Sequence, residues 1–99
     1  VEQMPTFPGG ETELMKFIHD NLRYPVIAKE NGIQGRVILR FVISKTGTIK
    51  NVTVLRSLDP TCDKGAIRLI KSMPKWIPGK QNGYNVPVYF TLPIVFKLL

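Results

Sequence analysis

The chain is poor in the residues from which catalytic and metal centres are built. Its 99 residues include one cysteine, Cys62, and one histidine, His19. A lone cysteine excludes an internal disulfide and every multi-cysteine zinc pattern, and it leaves the redox compartment open. A Cys62–His19 nucleophilic pair is the one thiol arrangement available. The plainer reading makes Cys62 a small apolar core residue and puts His19 on a helix surface. Acids are scarce too, 7 against 14 Lys and Arg, for a formal net charge of +7. Glu2, Glu11, Glu13, Asp20, Glu30, Asp59 and Asp63 fall on helix starts, helix surfaces and the opening stretch, so no acid/base pair converges at a strand end. Gly32 and Gly35 are too few, and too far from a following helix, to cradle a phosphate. Nothing here predicts an enzyme, and no cofactor or metal is expected.

Also missing are a leader pattern, an apolar run near the ~20 residues of a membrane span, a run of five like charges, internal repeats and low-complexity tracts. The basic residues are spread along the chain. A sheet carrying Tyr89, Arg36 and Arg40 has the residue types to stack bases and hold phosphates, but no cluster of exposed aromatics accompanies them. No nucleic-acid partner is expected.

What the chain does have is enough material for one domain, with 43% hydrophobic residues to bury a core. The expected unit is a single domain over 1–99, with 1–10 as an extended lead-in because EQMPTFPGG is rich in Pro and Gly. Since the chain starts at Val1 rather than Met, it reads as a fragment of something longer.

Leu14, Phe17, Ile18 and Leu22 recur at helical spacing over 11–22, with Glu11 and Glu13 in the first turn, where carboxylates suit the helix dipole. Pro25 disfavours helix at Tyr24 and ends it; a short helical turn over 26–31 stops at Gly32. Over 35–44, Val37, Leu39, Phe41 and Ile43 alternate with Arg36, Ile38, Arg40 and Val42, a strand with one apolar and one mixed face. The turn Lys45-Thr46-Gly47 leads into a second strand over 48–56, a hairpin. Asp59-Pro60 opens a helix, with a carboxylate N-cap and Pro at N1, that turns Cys62, Ala66, Ile67, Ile70 and Met73 inward. KWIPGKQNG, over 75–83, reads as a loop around a core Trp76. The closing stretch alternates Val86, Val88, Phe90, Leu92, Ile94, Phe96 and Leu98 as one long strand.

These elements predict an α+β two-layer domain: a three-stranded antiparallel sheet in the order 2-1-3, with two helices on one face. The third strand is an edge, which Pro87 and Pro93 support. A long edge with unpaired backbone groups invites strand addition or pairing with a second copy, so a homodimer is allowed.

The ordered series Tyr24-Pro25, Ala28, Gly35-x-Val37-x-Leu39-x-Phe41-x-Ile43, Gly47, Val52, Val54, Ser57, Asp63-x-x-Ala66, Trp76 to Gly79 and Pro93-Ile94-x-Phe96 resembles the C-terminal domain of the TonB family, periplasmic energy transducers of Gram-negative bacteria. The resemblance covers the chain from about Tyr24 to Leu98. It implies a periplasmic domain, anchored to the inner membrane by a segment outside this chain. That domain binds the Ton box of TonB-dependent outer-membrane transporters alongside its last strand. It would couple proton-motive force to import through an ExbB/ExbD-like complex. Carried onto this chain, the peptide-binding residues are Asn21, Arg23, Tyr24, Pro25, Tyr89, Phe90, Thr91, Leu92, Pro93 and Ile94. Asn21 stands where the family has a glutamine, and of the family's two aromatics before Pro-Gly only Trp76 is kept. Tyr24 can equally be a packing residue that closes the helix on the sheet. The same domain type also occurs as an interaction or sensing module on other membrane proteins, including metallopeptidase-type sensors, which is the alternative reading.

Overall fold

The computed structural model describes residues 1–99. Helix α1 (Glu11–Asn21) and the short α2 (Val26–Glu30) precede strands β1 (Gly35–Ile43) and β2 (Ile49–Arg56); helix α3 (Pro60–Lys71) is followed by β3 (Gly79–Gln81), β4 (Tyr84–Val86) and β5 (Val88–Phe96). The main sheet has the order β2-β1-β5, and β1 runs antiparallel to both neighbours. This is the predicted 2-1-3 sheet, with α3 as the crossover between β2 and the final strand. The molecule is elongated, 49 × 23 × 18 Å.

Local chemistry explains most element ends. The Asp59 carboxylate accepts from the amides of Thr61 at 2.9 Å and Cys62 at 3.3 Å, and Pro60 fills N1, so α3 starts where its orphan amides find an acceptor. Helix α1 has no side-chain cap; Gly10 precedes it with φ 88°, and Leu22, in extended conformation, closes it ahead of Pro25.

The core lies between the sheet and the helices. Val37, Leu39, Phe41 and Ile43 of β1 are fully buried, and Leu92, Ile94 and Phe96 of β5 join them on the same face, with Ala66, Leu69 and Ile70 of α3 and Leu14 and Ile18 of α1. Each large side chain buried this way contributes about 1.5–3 kcal/mol. The inward stripe of α3 includes Leu69, while Ile67 and Met73 are only half-buried.

Two sequence expectations are corrected. The 75–83 segment is not simply a loop. Gly79–Gln81 pairs with Tyr84–Val86 as a second hairpin, with Asn82 (φ 51°) and Gly83 (φ 78°) as its turn. An Asn-Gly pair with both φ positive is a two-residue hairpin turn whose twist suits the flanking strands. The long last strand is also divided. Pro87 separates β4, in the small sheet, from β5, in the main one. Proline has no N–H to carry a ladder across the joint.

The lead-in is extended and is also paired. Gln3 bridges Lys80 and Thr6 bridges Ile77, with Thr6 and Ile77 exchanging backbone hydrogen bonds of 3.0 and 2.8 Å. Phe7 is thereby held in the core.

Candidate functional site

Strand β5 has one satisfied edge and one free one. Its inner edge pairs with β1 over nine residues in unbroken register, from Gly35↔Phe96 to Ile43↔Val88. No backbone hydrogen bond outside that ladder involves residues 88–96. The parity of the ladder tells which groups point outward. Pro93 has no N–H, and the register passes through it without a bulge, so its nitrogen stands on the outer side. The amide of Leu98, of opposite parity, bonds inward to Gln34 Oε1 at 2.8 Å. The free edge therefore offers the N–H groups of Tyr89, Thr91 and Val95 and the carbonyls of those residues and Pro93.

A groove runs along this edge on the helix side of the sheet. Its volume is about 520 Å³, and its walls come from residues 90–93 of β5, residues 5–7 of the lead-in, Glu11, Leu14 and Met15 of α1, and Trp76. Trp76 is 3% exposed and stands edge-on to Phe7 (5.6 Å between ring centres), Phe41 (5.8 Å) and Phe90 (4.9 Å). Its indole N–H has no acceptor. The signal for this second wall was the Pro-Thr-Phe-Pro run, expected from the sequence as an extended lead-in.

The other face of the sheet is open and carries no acid. Arg36 and Arg40 of β1, Lys50 and Arg56 of β2 and Lys97 beyond β5 are exposed, and none of the three strands contains Asp or Glu. The Arg40 guanidinium lies 4.8 Å from the centre of the Tyr89 ring, which brings the charge toward the free edge.

The structure divides the ten candidate residues. Tyr89, Thr91 and Pro93 turn exposed side chains to the open face, whereas Phe90, Leu92 and Ile94 turn inward. Tyr24 packs edge-on against Phe96 at 5.5 Å, and its hydroxyl donates to the Ile33 carbonyl. Burial and the neighbouring Cys62 push its pKa above the ordinary tyrosine value. Pro25 is the residue before α2. The Asn21 amide is spent on its own helix, donating to the Phe17 carbonyl at 2.8 Å. Asn21 and Arg23 line a shallow depression with Arg68, Leu69 and Ser72, against α3 rather than along the β5 edge. Cys62 is fully buried and His19 is exposed, so the two do not meet. Burial, Asp59 and Asp63 hold the Cys62 pKa above the ordinary thiol value.

Comparison with known proteins gives the family and the fold. The family model for the Gram-negative bacterial TonB protein C-terminal matches residues 20–98. Protein TonB of Helicobacter pylori, in two strains, is 30% identical over 96 residues, 92% of this chain; the chain spans about a third of the length of these relatives, 32% and 33%. Two NMR solution structures of the Helicobacter pylori TonB C-terminal domain share the fold. The longer fragment superposes with a TM-score of 0.67 at 29% identity, covering 93% of this chain and 87% of that one. The shorter superposes with a TM-score of 0.65 at 24% identity, covering 87% and 90%.

Proposed function

The chain belongs to the family of Gram-negative bacterial TonB C-terminal domains, and from that premise we propose that it is the periplasmic domain of a TonB-type energy transducer. In this reading it captures the Ton box of an outer-membrane transporter by strand addition on β5. The observation that carries the proposal is the free outer edge of β5, with three N–H groups and four carbonyls unpaired, beside a groove that its residues 90–93 line. An extended segment is the ligand that matches a row of alternating backbone donors and acceptors. The rest of the transducer, outside this chain, would meet an ExbB/ExbD-like inner-membrane complex and transmit proton-motive force to import.

The expected affinity suits a coupling device that must release. A handful of backbone bonds at a net ~0.5–1.5 kcal/mol each, less several kcal/mol for association, leaves a Kd on the order of micromolar or weaker. Titration of isotope-labelled domain with Ton-box peptides tests the reading. Amide shifts centred on 89–95 support it, and a flat response to every such peptide sinks it.

A further inference from the structure

We propose that the wall formed by residues 5–15, together with the basic open face, selects an amphipathic strand: apolar on the side toward the helices and acidic on the side toward Arg40. The proposal rests on strand capture at β5 and states which segments are captured.

A strand laid beside β5 turns successive side chains to opposite faces of the sheet. Those on the helix side enter the groove between Phe90 and Leu92 on one wall and Phe7, Leu14 and Met15 on the other, with Trp76 also lining it. Glu11 is the only charged residue lining this space, so burial there favours apolar side chains and disfavours acidic ones. The stretch 90–93 corresponds to about 13 Å of strand, room for two alternate side chains. On the opposite face the same strand lies beside Tyr89, over which Arg40 leans, on a sheet whose strands contain no acid. Acidic side chains are complementary there, and lysines are repelled. Most of the helix-side wall precedes the span 20–98 that the family model matches.

The test uses three nonapeptides: alternating Val and Glu, alternating Val and Lys, and alternating Ser and Glu. Trp76, the only tryptophan, reports the groove by its fluorescence, and amide shifts of 89–95 report the edge. The Val/Glu peptide is expected to bind at least about tenfold more tightly than either of the others. Met15→Lys should erase its advantage over Ser/Glu, and Arg40→Glu should reverse the order of the Glu and Lys peptides. If the edge amides shift equally with Val/Glu and Ser/Glu and Met15→Lys changes nothing, the selection proposal falls while strand capture stands. If neither these peptides nor a Ton-box peptide moves the edge amides, strand capture falls with it. If the edge amides shift on raising the protein concentration alone, the occupant is a second copy of the chain and the proposal is overturned.

Discussion

Gly47 and Trp76 are joined at the backbone. The Trp76 amide donates to the Gly47 carbonyl at 2.9 Å, and a Cβ on Gly47 would stand 2.0 Å from the Trp76 carbonyl oxygen. The β1–β2 turn is thereby fixed against the segment that lines the groove. Gly47 has φ 85°, a region a side chain enters only with strain.

Replacing that glycine therefore acts on two counts. Gly47→Ala is expected to cost about 2 kcal/mol or more, from the left-handed backbone and the clash together. Chemical denaturation checks the size, and a red-shifted Trp76 emission would show that the groove wall has moved.

Tyr24 is expected to act through stability rather than through peptide contact. Tyr24→Phe removes the hydroxyl donated to Ile33 and keeps the ring on Phe96. The melting temperature should fall by a few degrees, with the affinity for Ton-box peptides unchanged within about twofold. A loss of affinity at unchanged stability would make Tyr24 a binding residue instead.

The cap of α3 gives stability an acid limb. Hydrogen bonds from the Thr61 hydroxyl and from the amides of Cys62 and Thr61 hold the Asp59 pKa below the usual carboxylate value, against a smaller opposing effect of burial. A depressed folded-state pKa means that its stabilisation is complete above the unfolded value of about 4 and lost as pH falls through the folded one. Asp59→Ala should lower the melting temperature at pH 7 by a few degrees and make little difference near pH 2.

Tyr24 and Cys62 give the opposite limb. Both have raised pKa values, chiefly from burial. Their contributions are full below the unfolded values, about 8.5 for a thiol and 10 for tyrosine, and are lost as pH rises through the folded ones. Thermal melts from pH 8 to 11 should show falling stability, and Cys62→Ala with Tyr24→Phe should flatten the decline.

The main sheet was legible because its signals are local and of one kind. The strict alternation of β1, the Asp59-Pro60 helix start and the hairpin turn at Lys45–Gly47 each declare an element without help from elsewhere. Pro93, read as an edge signal, also fixed which backbone groups face outward. The second hairpin was readable in principle from Asn82-Gly83, but its strands are only three residues each and the preceding Pro and Gly mask them. The groove was not legible, because it joins Phe7 to Trp76 and Phe90 across most of the chain, and no local pattern reports a long-range contact. The placement of Asn21 against α3 depends in the same way on how two helices meet.

The most direct test of strand capture is hydrogen exchange at single amides of β5, with and without a Ton-box peptide. The amides of Phe90, Leu92 and Ile94 already face the β1 ladder and should not change. Those of Tyr89, Thr91 and Val95 should slow by about tenfold or more once a strand accepts from them. Uniform slowing across the domain, or protection confined to α1 and α3, would contradict capture at this edge.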